Sequence, residues 1–255
     1  MPNPVGPIGT VVRCTNGTLT IAGSGSANTR LILNRVTGAT KSDEKEIAAA
    51  KRAWIAVRAA KGDASLRSNL LARRRAAVAV LTAQGMSSVE VQLQVLTPLA
   101  VGHSGAGSTN DNSLTLHAIS GDPVIPATAL KGVTRSVGPD NDALFGTAGN
   151  DDDTGTIGAV IFLPALAEGV LTLKPAVLTP HAREYYTTHG STPASGHQSP
   201  LPVEFLTVRS GVFVGHILGL EAMVAEARRR LVEAVDELGV GAKTGAGFGY
   251  MKDKT

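Results

Sequence analysis

The sequence predicts an antiparallel α+β domain of the ferredoxin-like type, because segments with strand periodicity alternate with two helical segments. From Val89 to Val95, apolar residues alternate with Glu and Gln, as in a strand with one buried face. A short helical pattern follows at 128–137, and a longer amphipathic one at 221–238. The other predicted strands are 114–119, 156–163, 170–177, and a hairpin of 205–209 with 212–220 around Ser210-Gly211.

The last helical pattern has a clear inner and outer side. Arg228, Arg229 and Arg230 are predicted to point outward. The inner stripe comprises Val224, Ala227, Leu231, Ala234, Val235 and Leu238.

The first third of the chain differs in composition. We interpret residues 1–85 as an arm followed by a basic helical region, and 86–255 as the ferredoxin-like domain with long insertions, all packed as one unit. Helical patterns at 42–61 and 65–81 are separated by Gly62-Asp63. Such a region fits either a nucleic-acid-binding surface or the solvated face of alanine-rich helices. Its basic residues are Lys51, Arg52, Arg58, Lys61, Arg67, Arg73, Arg74 and Arg75.

Whole-chain composition excludes several classes of protein. The single cysteine, Cys14, excludes an internal disulfide framework and predicts a cytoplasmic location. No apolar run reaches the roughly 18 residues that a membrane span needs. The net charge is only +3, so a nucleic-acid site must come from local clustering of basic residues. The acidic run 151–153 lacks the spacing of a calcium loop, and we predict no metal and no cofactor.

A glycine-rich stretch at 239–249 is the strongest local signal. Glycine reaches positive φ and allows another backbone to come close, so this loop can present several N–H groups to one anion. Lys243 and Thr244 add a cation and a hydroxyl, a combination suited to a phosphodiester. A nucleotide-binding P-loop is disfavoured, because Ala242 stands where that motif requires glycine. A glycine-rich tail without a ligand remains the alternative.

The short helix carries a second basic pair. Lys131 and Arg135 are four residues apart and therefore share one face. Thr128 is placed to cap the helix, and Gly132 lowers its helix propensity by about 1 kcal/mol. The pair fits either phosphate contacts or an ordinary exposed face.

Three patches resemble a known family. The segment 126–135, PATALKGVTR, resembles the PxSSLKGxxR segment of the RAMP superfamily of CRISPR effector proteins, and GVGAKTGAGFG at 239–249 is similar to its C-terminal glycine-rich signature. Residues 178–186 and 200–208 are similar to one branch, the sixth RAMP subunit of the type III-B (Cmr) complex. The resemblance covers roughly residues 89 to 251. One departure is that Thr128 is the only hydroxyl where the family has two serines.

The resemblance implies an RNA-recognition-type ferredoxin-like fold and a non-catalytic backbone subunit of a ribonucleoprotein. Its expected partners are the 3′ portion of a guide RNA, target RNA, the repeated backbone RAMP subunit and the first Cmr RAMP subunit. His181 is expected to form a structural corner or to stack on one nucleotide. The predicted RNA-binding residues are Thr128, Lys131, Arg135, His181, Gly241, Lys243, Thr244, Gly245, Gly247 and Gly249.

Two other functions remain open at this point. A RAMP-type endoribonuclease would draw on His103, His117, His181 or the acidic run 151–153. A nuclease needs an acid and a base on either side of one phosphate, or converging carboxylates around a metal. No local spacing provides either arrangement, and His117 fits a packed strand position, so we predict no catalytic residue. The other possibility is an assembly subunit whose glycine loop packs on protein.

Overall fold

The computed structural model describes residues 12–15, 18–21, 63–102, 114–149, 154–179, 185, 188–194 and 202–254. The strands β1 (Val12–Thr15) and β2 (Thr18–Ile21) form an antiparallel pair of their own. The remaining elements are α1 (Ala64–Ala83), β3 (Ser87–Val95), β4 (Val124–Ile125), α2 (Ala127–Arg135), α3 (Asp142–Phe145), β5 (Val160–Leu178), β6 (Val203–Gly219), α4 (Glu221–Glu237) and β7 (Met251–Asp253).

Five strands form one antiparallel sheet in the order β4-β5-β6-β3-β7. Apart from the two-residue strand β4 and the four-residue helix α3, the strands and α-helices from β3 onward follow one another as β3-α2-β5-β6-α4-β7. This is the βαββαβ succession of the ferredoxin-like fold. The α+β class predicted from the sequence is therefore confirmed.

The main core lies between the sheet and the two helices α2 and α4. Phe213 and Ile217 of β6 are buried in one cluster with Leu130 of α2 and Leu231 of α4. Gly215, between those two β6 residues, lets Val91 of β3 pack closely, since a Cβ there would lie 3.3 Å from the Val91 Cγ2. These contacts hold both helices on the same face of the sheet.

Most of the α4 stripe is buried as predicted, but its outer side was predicted incorrectly at one position. Arg230 is 4% exposed, and its guanidinium donates to the carbonyl oxygens of Val137 (2.9 Å) and Pro139 (2.8 Å). Arg230 thus ties the loop after α2 to α4, which no helical pattern reveals. Leu238, predicted inside, follows the last turn and is exposed.

Helix α1 covers part of the opposite face of the sheet. Leu71 packs there with Val214 of β6 and with Val124 and Leu166, in a cluster separate from the main core. Successive residues of a strand point to opposite faces, so Val214 faces α1 while Phe213 faces α2 and α4. Within the described ranges, no helix combines the length and apolarity needed to cross a bilayer.

Three strand predictions were wrong in extent. The segment 114–119 makes a single bridge, between Leu116 and Pro123. The patterns 156–163 and 170–177 are one bulged strand, β5. The predicted hairpin around Ser210-Gly211 is the uninterrupted strand β6, and a Cβ on Gly211 would lie 2.3 Å from the Leu171 Cδ2. Here glycine accommodates the neighbouring strand rather than a turn.

Candidate nucleic-acid interface

The glycine loop leaves α4 and is closed at its base by backbone hydrogen bonds. The Ala242 N–H donates to the Ala100 carbonyl (2.7 Å), and the Gly249 N–H donates to the Pro98 carbonyl (3.0 Å). Across the loop, the Val240 N–H donates to the Gly249 carbonyl (2.9 Å). The base of the loop is thus attached to the segment that follows β3.

The glycines divide into two groups with different roles. At the base, a Cβ on Gly241 would lie 2.4 Å from the Ala100 oxygen, and one on Gly249 would lie 2.1 Å from the Val240 oxygen. At the tip, Gly245 and Gly247 have nothing within 4 Å of such a Cβ. The base glycines therefore serve close packing of the chain on itself, whereas the space around the tip glycines is open.

The tip is a short 3-10 turn, Thr244–Ala246, between two left-handed residues, Lys243 (φ 65°) and Gly247 (φ 86°). The Ala246 N–H donates to the Lys243 carbonyl (2.9 Å), and the Gly247 N–H donates to the Thr244 carbonyl (2.9 Å). Within the described part of the chain, the amides of Lys243, Thr244 and Gly245 have no acceptor. Lys243 and Gly245 are exposed, so these donors and the cation lie at the surface.

The Lys243 side chain lies against an aromatic pair. Its Nζ is 5.1 Å from the centre of the Phe205 ring, which is buried on β6. The Phe205 and Phe248 rings are 5.5 Å apart and tilted by 50°. No local sequence pattern reveals this contact, because Phe205 is far from Lys243 along the chain and only the fold brings them together.

The two basic residues of α2 that were predicted to bind RNA, Lys131 and Arg135, have different surroundings. Lys131 is half-buried. The Arg135 guanidinium donates to both carboxylate oxygens of Asp140 (3.0 and 3.2 Å), to Asp142 (3.2 Å) and to the Gly146 carbonyl (3.0 Å). The Arg135 hydrogen bond lowers the pKa of Asp140, because it favours the charged carboxylate. A phosphate would have to compete with two carboxylates for Arg135, and RNA binding by either cation stays a prediction.

The predicted capping role of Thr128 is wrong. Pro126 occupies the N-cap of α2, and no side chain caps the helix. Proline fixes the entry of the chain through its own φ of −58°. Thr128 lies inside the first turn and is exposed.

The arginines of α1 are largely engaged within the protein. Arg67 donates to both carboxylate oxygens of Asp122 (3.2 and 2.8 Å) and to the Gly169 carbonyl. Arg74 donates to the Pro164 carbonyl (2.9 Å). The third, Arg75, makes ion pairs with Glu90 (2.8 Å) and Glu168 (3.3 Å). These three arginines therefore hold α1 on the sheet, and the basic residues at 51–61 lie outside the described residues.

A buried histidine lies beneath α1. His216 is 4% exposed, and its Nε2 is 3.2 Å from Glu90 Oε2, opposite it in the register of β3 and β6. Its Nδ1 is the buried side-chain polar atom that lacks a partner in the described ranges. Burial lowers the pKa of His216, and the nearby Arg74 and Arg75 lower it further, although Glu90 opposes this.

We expect His216 to make stability pH-dependent. Because its pKa is lowered in the folded state, the unfolded chain takes up a proton below about pH 6.5 that the folded chain does not. Stability should therefore fall as the pH drops through that value, and His216→Gln should reduce this dependence. Urea midpoints at pH 7.5 and 5.5 would measure it. Equal losses for wild type and variant would contradict the expectation.

Of the nuclease candidates named from the sequence, the structure describes His117 alone. His117 is half-buried in a turn, not in the predicted strand, and its Nδ1 accepts from the Ser120 N–H (3.3 Å). His103, His181 and the run 151–153 lie outside the described residues. Within the described residues, no group of three His, Cys, Asp or Glu side chains is placed to hold a metal.

Comparison with known proteins gives a family and a fold. The model of the RAMP superfamily matches residues 92–252. No curated protein matches the chain. A chain in the cryo-EM structure of the type III-B Cmr-beta bound to cognate target RNA is 20% identical, with a TM-score of 0.60 over 85% of this chain and 77% of that one. It shares the fold described above.

Two further solved structures are similar over a smaller part of the chain. Cmr6 from Pyrococcus furiosus is 22% identical, with a TM-score of 0.40 over 66% of this chain and 99% of that one. A chain of the type III-B Cmr-beta in the apo state is 13% identical, with a TM-score of 0.42 over 66% and 96%.

Proposed function

The chain belongs to the RAMP superfamily, and we propose that it is a non-catalytic, RNA-binding backbone subunit of a type III-B CRISPR ribonucleoprotein. It would hold the 3′ portion of the guide RNA and contact target RNA and neighbouring Cmr RAMP subunits. The fold shared with a chain of Cmr-beta supports this proposal. So does the resemblance of 178–186 and 200–208 to the sixth RAMP subunit.

The observation that carries RNA binding is the open tip of the glycine loop. The amides of Lys243, Thr244 and Gly245 lie beside an exposed ammonium group, and the two tip glycines leave space for a backbone to approach. Amides and lysine recognise phosphates without reading bases. A guide of arbitrary sequence requires such contacts, because base pairing carries the specificity.

The sheet face covered by α1 also favours contacts to phosphates over stacking on bases. In RNA-recognition folds, aromatic residues on the open sheet face stack on bases. Here α1 packs over that face around Leu166 and Val214, and three arginines hold it in place. The covered part of the face cannot stack on RNA while α1 remains docked. Phosphate contacts from the glycine loop are the alternative that the geometry favours.

Lys243→Ala should weaken binding of single-stranded RNA uniformly across sequences. Removing one phosphate contact should reduce the slope of log K against log salt by about 0.7 to 1. Binding of a labelled RNA across a salt series would measure both changes. Lys252→Ala, which removes an exposed lysine of β7, is the matched control and should leave the slope unchanged.

Other results of that titration would favour other functions. An unchanged slope in Lys243→Ala would move the RNA site away from the loop. A folded wild-type protein that fails to bind even at low salt would indicate an assembly subunit. Cleavage of the labelled RNA would instead favour a RAMP-type endoribonuclease.

A further inference from the structure

We propose that Phe205 positions the Lys243 ammonium for phosphate binding, with Phe248 supporting the Phe205 ring. The inference rests on the proposed function and identifies a residue that need not touch RNA itself. Three observations carry it: the backbone conformation of Lys243, the fixed orientation of the Phe205 ring, and the distance between the ring and the cation.

The backbone holds Lys243 in an unusual conformation. Its φ of 65° lies in the left-handed region, which residues other than glycine rarely adopt. The Lys243 carbonyl accepts from the Ala246 N–H (2.9 Å) and the Phe248 N–H (3.4 Å), so the 3-10 turn closes on this residue. Such a conformation persists only when the surrounding structure maintains it. The starting direction of the lysine side chain is therefore set by the loop.

The ring under the cation is equally well fixed. Phe205 is 1% exposed, and it pairs with Ala176 in the β5–β6 register. Its neighbour Leu206 belongs to the main core, so the Phe205 side chain points to the opposite face of the hairpin. There it packs against Phe248, with ring centres 5.5 Å apart. A buried ring with an aromatic neighbour cannot turn freely.

The cation lies within reach of the ring's negative face. Lys243 Nζ is 5.1 Å from the Phe205 centroid, inside the roughly 6 Å limit for a cation–π contact. An unrestrained lysine loses rotamer freedom when it binds a phosphate, whereas a side chain already held by a ring loses less. Because the ring is neutral, it changes the affinity without changing the number of counterions released.

This mechanism predicts a distinctive pattern in RNA binding. Phe205→Leu should weaken binding of labelled single-stranded RNA about two- to fivefold, the usual strength of an exposed cation–π contact, with an unchanged salt slope. Lys243→Ala should reduce the slope. Adding Phe205→Leu to Lys243→Ala should cause no further loss, because the positioned group is absent. Phe205→Met also removes the ring and should give the same loss of about two- to fivefold with an unchanged salt slope, so it provides the test if Phe205→Leu does not fold.

A measurement without RNA separates this inference from the proposed function. The ε-methylene protons of Lys243 should resonate upfield in the free protein because of the ring current, and Phe205→Met should remove that shift. NMR of protein with labelled lysine would detect the signal, with Lys243→Ala providing its assignment. No upfield signal would overturn the inference while leaving the proposed function intact.

The RNA affinities of the Phe205 and Lys243 variants also test the positioning role. Equal losses from Phe205→Leu with and without Lys243 would mean that Phe205 acts through the fold alone, which overturns the inference. So would a Phe205→Leu protein with wild-type affinity when Lys243→Ala is impaired. Unchanged binding by Lys243→Ala itself would overturn the proposed loop site first, and the positioning role with it.

Discussion

Arg67→Ala should destabilise the fold by about 3 to 5 kcal/mol, because it leaves the Asp122 carboxylate buried without its cation. Arg67 and Asp122 are 5% and 4% exposed, and the guanidinium contacts both carboxylate oxygens. It also donates to the Gly169 carbonyl in β5, so the substitution also unties α1 from the sheet. Equilibrium unfolding in urea, followed by circular dichroism, would measure the loss.

Two variants make that result specific. Arg73→Ala removes an exposed arginine from the same helix and should change stability by no more than about 0.5 kcal/mol. The double variant Arg67→Met with Asp122→Leu replaces both charges by apolar groups and should be much closer to wild type than Arg67→Ala. A double variant as unstable as the single one would show that the buried charge is not the cause.

Gly249→Ala should cost roughly 2 to 4 kcal/mol, the sum of left-handed backbone strain and a steric clash. Gly249 has a φ of 79°, and a Cβ there would lie 2.1 Å from the Val240 oxygen. Since Gly249 also donates to Pro98 and accepts from Val240, the base of the loop must open to relieve the clash. Thermal unfolding would report the loss, and hydrogen exchange in β7 should increase.

Gly245→Ala is the matched control at the tip of the same loop. Nothing lies within 4 Å of the added Cβ, and the φ of Gly245 is not positive. We expect its stability to remain within about 0.5 kcal/mol of wild type. A change in its RNA affinity would then report on the ligand surface. If the two variants unfold alike, the division of the glycines into base and tip is wrong.

Local sequence patterns correctly predicted the elements in which buried residues recur with a regular helix or strand period. The α4 stripe from Val224 to Val235 and the alternation in β3 were both found as predicted. The prediction of a hairpin turn at Ser210-Gly211 failed, because the same residue types suit a turn and a bulged strand. Only the approach of Leu171 distinguishes the two. The prediction that Arg230 points outward failed, because the carbonyl oxygens that accept its hydrogen bonds lie in another segment of the chain.

The sequence by itself determined the ferredoxin-like class, the family resemblance and the glycine loop as the place to look for a ligand. Periodicity and motif spacing are local properties, so one chain displays them. The tertiary structure alone decided which glycines pack on the backbone, which arginines hold α1, and that Phe205 lies beneath Lys243. Those contacts depend on strand register and on groups far apart in the chain, and no local pattern encodes them.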